Sequence, residues 1–288
     1  MSATSRTKNI TDRVREFYNR FPFPGYEVGD YQSVASLYEK ASPYVRMLDQ
    51  QMQAGTCVLD AGCGTGQLSA LLSLANRSVL GIDLSESSIQ IANSLKARLN
   101  LPGVTFMQAD IFEVDLPQTH FDYIFCNGVL HHTYDPYGGF IRISTWLKPG
   151  GYIIIGLYNA YGRLFTKMKT ALFRRLNATV DDRITQWDHF LRKEISAAQK
   201  RSWFFDQYHH PHETVHTIDE VLGWFRQNRI DYVNGLPKIR LFEYVRAEDR
   251  LFEKSEPGGR IQHMFVQLGW ILSTRKEGGY FLLIGQKE

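Results

Sequence analysis

The chain has 288 residues and a formal net charge of +3, and 43% of its residues are hydrophobic. This composition is ordinary for a soluble globular protein with one large core or two small ones. No apolar run is long enough to span a bilayer and the polar N-terminus lacks a signal-peptide core, so we expect a cytoplasmic protein. The three cysteines lie in apolar or glycine-rich contexts, which favours reduced, buried thiols over a disulfide framework.

Residues 1–54 carry helical patterns and no strand pattern. Residues 1–12 are predicted to be a loose tail, and a helix from Asp12 ends before Phe21–Tyr26, whose two prolines and glycine force an extended turn. Apolar spacing predicts a second helix over 32–53. We therefore expect an N-terminal helical lid.

From residue 55 onward, strands and helices alternate. Strands are predicted at 56–61, 78–83, 104–109, 121–127 and 151–157, and helices at 66–75, at 86–98 and from Pro136. A turn at Lys148–Gly151 precedes the fifth strand. Alternation at this spacing favours a parallel sheet covered by helices on both faces.

The pattern changes over 158–216, which is predicted to form helices with basic and aromatic residues. The α/β pattern then resumes with a helix and two strands, at 217–228, 231–235 and 279–286. A further helical pattern separates those two strands. We therefore expect one α/β domain over 55–288, with cap insertions at about 158–216 and 237–278.

A glycine-rich turn follows the first predicted strand. Asp60 ends the strand, and Gly62, Gly64 and Gly66 crowd the turn before an apolar helix. Bare backbone N–H groups at a helix start let a ligand approach closely. The spacing differs from the Gly-x-Gly-x-x-Gly of dinucleotide folds, and a carboxylate at Asp60 suits a cation better than a phosphate. The segment resembles the first motif of class I methyltransferases that use S-adenosylmethionine (SAM), which carries a sulfonium and an ammonium.

Further positions at strand ends match the same family. The resemblance implies that Asp83 accepts the ribose hydroxyls, that Asp110 meets the adenine amino group, and that Asn127 and Gly128 lie under the methionine part. Open α/β sheets bind ligands at these strand ends. The family has a Rossmann-like, mostly parallel seven-stranded sheet, with SAM as its cofactor. The cofactor-binding residues implied here are Asp60, Gly62, Cys63, Gly64, Asp83, Leu84, Asp110, Ile111, Asn127 and Gly128.

The segment Asn127–Pro136 contains two adjacent histidines. It resembles small-molecule methyltransferases of the ubiquinone/menaquinone-biosynthesis type, which have a histidine-rich loop after the fourth strand. The resemblance places His131 and His132 beside the transferred methyl, where imidazole can take a proton from a phenol, an amine or an acidic carbon. The alternative is that one of these histidines bonds backbone and fixes the loop.

A second histidine cluster spans Asp206–His216. Its four histidines and two carboxylates suggest a metal, but Pro211 interrupts any helix and no cysteine joins the set, so no metal is predicted. We expect instead a loop over the active site, with His209 as a catalytic candidate. The predicted substrate residues are Tyr158, Asn159, His210 and His212.

Two amphipathic segments each have two interpretations. The segment Tyr18–Tyr26 is either a strap that packs the first helix or a lid that brings Tyr18 or Tyr26 to SAM. The segment 163–176 is a basic helix within 158–205, a stretch with ten basic and four acidic residues. It is either a solvated face or a surface for anionic membranes and lipid-like substrates. The basic residues match no recognisable nucleic-acid motif, so no nucleic acid partner is expected.

The sequence therefore predicts a SAM-dependent methyltransferase that acts by in-line displacement on a small, apolar or aromatic, lipid-like acceptor. A protein or RNA methyltransferase is the first alternative, although Asn127-Gly-Val-Leu does not match the Asn/Asp-Pro-Pro-Tyr/Phe motif of enzymes that methylate nucleic-acid amino groups. A non-catalytic SAM-binding protein is the second alternative. The acceptor atom and the oligomeric state are not predicted.

Overall fold

The computed structural model describes residues 3–273 and 279–288. Seven strands form one sheet in the order β3-β2-β1-β4-β5-β7-β6. The strands are β1 Cys57–Ala61, β2 Ser78–Asp83, β3 Val104–Gln108, β4 Phe121–Asn127, β5 Leu147–Tyr158, β6 Ile230–Leu236 and β7 Tyr280–Lys287. Strand β7 pairs antiparallel with both of its neighbours, β5 and β6, and the other strand pairs of the described residues are parallel. The prediction of a mostly parallel seven-stranded sheet is confirmed.

Helices cover both faces of this sheet. They are α1 Ala3–Arg20, α2 Val34–Lys40, α3 Pro43–Gln51, α4 Gln67–Leu72, α5 Glu86–Leu99, α6 Pro136–Thr145, α7 Leu164–Arg175, α8 Ala197–His209, α9 Ile218–Gln227 and α10 Arg260–Ser273. Leu59 and Ile124 belong to one core cluster, whereas their chain neighbours Val58 and Phe125 belong to the other. Successive strand side chains point to opposite faces, so each central strand contributes to both cores. None of the described helices combines the length and the apolar character needed to cross a membrane.

The N-terminal segment differs from its prediction at two places. Helix α1 begins at Ala3, so the loose tail predicted for 1–12 is wrong from that residue on, and residues 1–2 lie outside the described part. The single helix predicted over 32–53 is two helices, because Pro43 begins α3 behind the N-cap Ser42, whose side chain accepts the Val45 N–H. Proline at the first helical position has no N–H to continue the preceding helix.

Strand β5 begins earlier than predicted. Leu147 pairs with Phe121 and Tyr152 with Tyr123, so Lys148–Gly151 form an irregularity within the strand and not a turn before it. Backbone bonds to Trp146 O from His120 and Phe121 hold this start against β4.

The cap regions are helical over much of their length. The predicted loop over 206–216 is wrong at its start, because residues 206–209 form the last turn of α8, which ends before Pro211. The predicted cap at 237–278 contains α10, and its last residues, 274–278, lie outside the described part. The division into 1–54 and 55–288 stays a prediction.

Candidate functional site

The glycine turn after β1 is fixed by its neighbours. The N–H groups of Gly62 and Cys63 donate to Ile82 O at 2.7 and 2.9 Å, and the Gly64 N–H donates to Asp83 Oδ2 at 2.8 Å. Gly62 and Gly64 have φ values of +82° and +52°, which side chains rarely adopt, and a Cβ on Gly64 would collide with the Phe23 carbonyl oxygen. The turn therefore requires glycine where the Phe23 strap crosses it.

A cavity of about 540 Å³ opens over the carboxyl ends of the strands. Its wall contains nine of the predicted cofactor residues: Tyr18 of α1, and Gly62, Gly64, Asp83, Leu84, Asp110, Ile111, Asn127 and Gly128 at the strand ends. A second cavity, of about 280 Å³, lies on the other side of the turn and shares Phe23, Gly62, Gly64 and Asn127 with the first. The remaining predicted cofactor residues, Tyr26, Asp60 and Cys63, line this second cavity.

Asp83 is positioned by backbone donors. Its Oδ1 accepts the Ser85 N–H and its Oδ2 accepts the Gly64 N–H, both at 2.8 Å. Burial raises the pKa of this carboxyl, while those backbone bonds act in the opposite direction. Each carboxylate oxygen has a second lone pair, so Asp83 can still accept two hydroxyl groups from a ligand in the cavity.

Two buried acceptors line the second cavity, and they suit a cation. Asp60 is 3% exposed and accepts the Ser69 hydroxyl at 2.5 Å, and burial raises its pKa to about 6. The buried Asn127 Oδ1 has no hydrogen-bond partner in the described part of the chain. An unpartnered buried acceptor is costly, and the ammonium of SAM would supply its missing donor. These residues therefore fit the methionine end of the cofactor that the resemblance implies.

His132 presents a basic nitrogen to the cavity. It is 4% exposed, lines the cavity wall, and its Nδ1 lies 2.9 Å from His212 O. A carbonyl can only accept, so Nδ1 carries the proton and Nε2 keeps its lone pair. Burial lowers the pKa of His132, which keeps the ring neutral at pH 7.

His210 adopts the opposite tautomer beside it. The two rings stack with centroids 3.6 Å apart, and His210 Nδ1 accepts the His212 N–H at 3.2 Å. The proton of a neutral His210 therefore lies on Nε2, which is buried without a partner among the described residues. The backbone of His212 thus leaves Nε2 of His132 as an acceptor and Nε2 of His210 as a donor.

Asp206 closes the cavity on the cap side. Tyr18 Oη donates to its Oδ1 at 2.8 Å, and Gln207 Nε2 donates to its Oδ2 at 3.0 Å. Asp206 is 3% exposed and lines the cavity with Tyr18 and Tyr158. The Tyr18 bond joins α1 to α8 over the strand ends.

His132, Asp206 and His210 also form the group that could hold a metal within the described ranges, since their ligand atoms lie within 4.8 Å of one another. Metal ligation needs a bare nitrogen on each imidazole. The His212 N–H occupies Nδ1 of His210 and leaves the proton on Nε2, so this arrangement favours hydrogen bonding over ligation. The absence of a metal stays a prediction.

Several predicted catalytic and substrate residues are not part of the wall described for the large cavity. His131 packs its ring 4.4 Å from that of Tyr158, and His209 packs on Phe204. Asn159 Nδ2 donates to Gln267 Oε1 at 2.8 Å, and His212 Nε2 lies 3.0 Å from Thr133 O. Tyr158 and His132 do line the wall, whereas His210 stands behind His132. The roles of all these residues stay predictions.

The wall also contains residues that sequence reasoning missed. They include Phe190, Lys193 and Trp203 of the first cap and Tyr280 at the start of β7, whereas Phe23 and Asp206 belong to the strap and to the histidine cluster that were predicted near the site. The one available signal was the dense aromatic content of the strap and cap. Nothing in the sequence indicates which of these rings face the strand ends.

Arg163 was predicted to lie in the basic helix 163–176, one interpretation of which is a solvated face. The structure instead buries it beside the site. It is 1% exposed, pairs with the Glu213 carboxylate, and stacks 3.7 Å above the Tyr158 ring. The helix itself begins at the next residue, Leu164. Arg163 therefore fixes the Tyr158 ring from behind.

Known proteins are similar to this chain in sequence or in fold. The sequence matches the family described as "Methyltransferase domain" over residues 52–225, more than half of the chain. An uncharacterized protein of Synechococcus sp. is 26% identical over 272 residues, which cover 86% of this chain and 64% of that protein. A ubiquinone biosynthesis O-methyltransferase of Acinetobacter baumannii is 30% identical over 107 residues, which cover 37% of this chain and 45% of that enzyme. The chain thus spans less than two thirds of the length of these relatives.

The fold also matches a solved structure over nearly its whole length. Geranyl diphosphate C-methyltransferase from Streptomyces coelicolor A3(2), in complex with S-adenosyl-L-homocysteine, is 15% identical, with a TM-score of 0.55. The alignment covers 97% of this chain and 98% of that enzyme. The prediction from the glycine turn and the strand-end residues is confirmed at the level of family: the chain belongs to the class I methyltransferases, and its cofactor is S-adenosylmethionine.

Proposed function

We propose that this protein methylates a small, largely apolar acceptor that carries an ionisable O, N, S or C nucleophile. One observation supports this proposal above the others: a single cavity contains both the strand-end carboxylates and the bare Nε2 of His132. When bound, SAM supplies a methyl group already activated by its sulfonium. The protein then has to hold the acceptor in line with that methyl and to exclude water.

The proposed role of His132 is that of a general base. A bound SAM would supply the methyl carbon and a sulfur able to leave with the carbon–sulfur electron pair, so that the acceptor lone pair could form the new bond. Nε2 of His132 would take the acceptor's proton. A buried, neutral imidazole is suited to this step near neutral pH. The proton on Nδ1 stays with His212 O throughout, so the ring keeps its orientation.

The cavity's cap side supports a small and mainly apolar acceptor. Around the cavity, Phe23 of the strap, Trp203 of the cap and Tyr280 of β7 supply rings, while Tyr18, Lys193 and Asp206 supply polar groups. Burial raises the pKa of Tyr18, so its phenol stays a donor. We include the strap and α1 in this proposal as a lid over the cofactor.

Incubation of the protein with methyl-labelled SAM and a fractionated cell extract tests this function. We expect label in the small-molecule fraction, and much less with His132→Ala. Label in the protein or RNA fraction would favour the first alternative. SAM binding in calorimetry without label in any fraction would favour the non-catalytic alternative. We also propose that the helix predicted at 163–176 makes peripheral contact with a membrane. The support for this contact is the set of apolar and basic side chains that α7 exposes.

A further inference from the structure

Helix α7 exposes a row of apolar side chains one turn apart. Leu164, Met168 and Leu172 are 46, 59 and 38% exposed, and Leu176, just beyond the helix end, is 53% exposed. Residues four apart share a helix face. The opposite face packs into the cap through the fully buried Phe173, which joins the α8 residues of a small separate core. The row is therefore an outer surface of the cap.

Cations border this row, and one of them, Lys169, lies 4.0 Å from the Asp188 carboxylate. Lys167 and Arg175 are exposed and Lys169 is half-buried, while 163–180 contains no Asp or Glu. At 3.6 residues per turn, Lys167 borders the row on one side and Lys169 on the other. Neither Lys167 nor Arg175 has an ion pair recorded in the described part of the chain, so both charges face outward.

An apolar row between cations is complementary to a surface that is apolar and anionic, which is the chemistry of an anionic bilayer at its headgroup boundary. Helix α10 provides the contrast. Its Ile261, Phe265 and Leu272 are 73, 52 and 65% exposed, but Arg260 is the one Lys or Arg among its described residues. Helices α7 and α10 therefore both expose apolar side chains, but only α7 surrounds them with several cations among the described residues.

We propose that α7 docks on an anionic lipid surface, with the apolar row in the headgroup boundary and Lys167 and Arg175 against the headgroups. The cap that carries α7 also contributes Phe190, Lys193 and Trp203 to the cavity wall. Docking would therefore hold lipid against the cap that encloses the proposed acceptor site. The docking itself does not depend on the proposed function.

Flotation of the full chain with vesicles tests this proposal. We expect the protein to float with phosphatidylglycerol/phosphatidylcholine vesicles, to remain unbound with phosphatidylcholine alone, and to dissociate at high salt. Each cation near an anionic surface contributes about fivefold in partitioning, so Lys167→Glu/Arg175→Glu lowers it by at least about 30-fold. Met168→Ser/Leu172→Ser lowers it by at least about tenfold, because apolar area no longer leaves water.

Matched variants separate this surface from general charge and general stickiness. Arg226→Glu/Arg246→Glu makes the same change in net charge at two exposed positions elsewhere, and Ile261→Ser/Leu272→Ser removes apolar surface from α10. We expect both controls to bind vesicles like wild type. Equal binding to neutral vesicles, equal loss in either control, no binding at all, or an α7-dependent dimer in sedimentation would overturn the proposal. SAM titration of the same variants keeps this outcome separate from a failure of the methyltransferase site.

Discussion

Replacement of Asp60 by Asn should make the unliganded protein more stable and its cofactor binding weaker. Asp60 is buried beneath the glycine turn, and burial raises its pKa to about 6, against 3.8 when unfolded. A raised folded pKa means that the folded state holds the proton more tightly than the unfolded state does. Stability is therefore lost as the pH rises from about 4 to 6, and the loss persists at higher pH.

The size of this effect follows from the same two pKa values. A difference of about two pKa units corresponds to about 3 kcal/mol at pH 7. Asp60→Asn cannot ionise, and its amide oxygen can still accept the Ser69 hydroxyl. We therefore expect a gain of up to about 3 kcal/mol at pH 8, roughly 5–10 °C in Tm, and no gain at pH 4.

Thermal melts of both proteins between pH 4 and pH 8 measure this difference. Asp231→Asn, an exposed carboxylate that pairs with Lys254 at 2.7 Å, is the control and should stay within about 0.5 kcal/mol of wild type. SAM carries an ammonium that stabilises an ionised Asp60. The affinity of the wild type for SAM should therefore rise between pH 5 and 7, and the variant should bind SAM more weakly than the wild type does. A constant Tm difference across the pH range would refute this reasoning.

Three further predictions concern the large cavity. Asp83→Asn retains one charge-free acceptor for the ribose hydroxyls, so calorimetry should show SAM affinity about 30- to 150-fold lower, and an affinity within threefold of wild type would contradict its role. His132→Ala should lower turnover about 10²- to 10⁴-fold with SAM affinity unchanged, whereas His189→Ala, an exposed histidine on the cap, should change neither; equal turnover in wild type and His132→Ala would remove the base. Tyr18→Phe keeps the ring but leaves Asp206 Oδ1 without its Tyr18 donor, so urea unfolding should show a loss of stability of about 1–3 kcal/mol, and no loss would mean that the bond does not hold α1 to α8.

The sheet and the strand-end acids were predictable because the chain encodes them locally. Strands β2 and β4 begin and end at the predicted residues. Apolar runs that are buried on both faces indicate parallel strands. The residue that ends such a run lies at the carboxyl end of the strand, where open α/β sheets bind their ligands. Asp83 could therefore be placed at the cavity from a few neighbours in sequence.

The acceptor side was less predictable because contacts distant in sequence build it. Tyr18 meets Asp206 across 188 positions, and no local pattern indicates that pairing. The tautomers of His132 and His210 depend on the backbone of His212, which a side-chain motif cannot show. The start of α1 was missed for a different reason, since its first residues are polar and carry no apolar periodicity.

Some residues that line the cavity lie inside the domain that the family shares, and others lie outside it. The matched domain, residues 52–225, contains the glycine turn, Asp83, Asp110 and the histidine loop. Tyr18 and Phe23 precede it and Tyr280 follows it, yet all three line the same cavity. If the shared domain supplies the methyl donor and these outer segments shape the remaining wall, then relatives with the same turn can differ in acceptor. The acceptor of this protein should therefore be sought by varying the strap and β7, and not the strand-end acids.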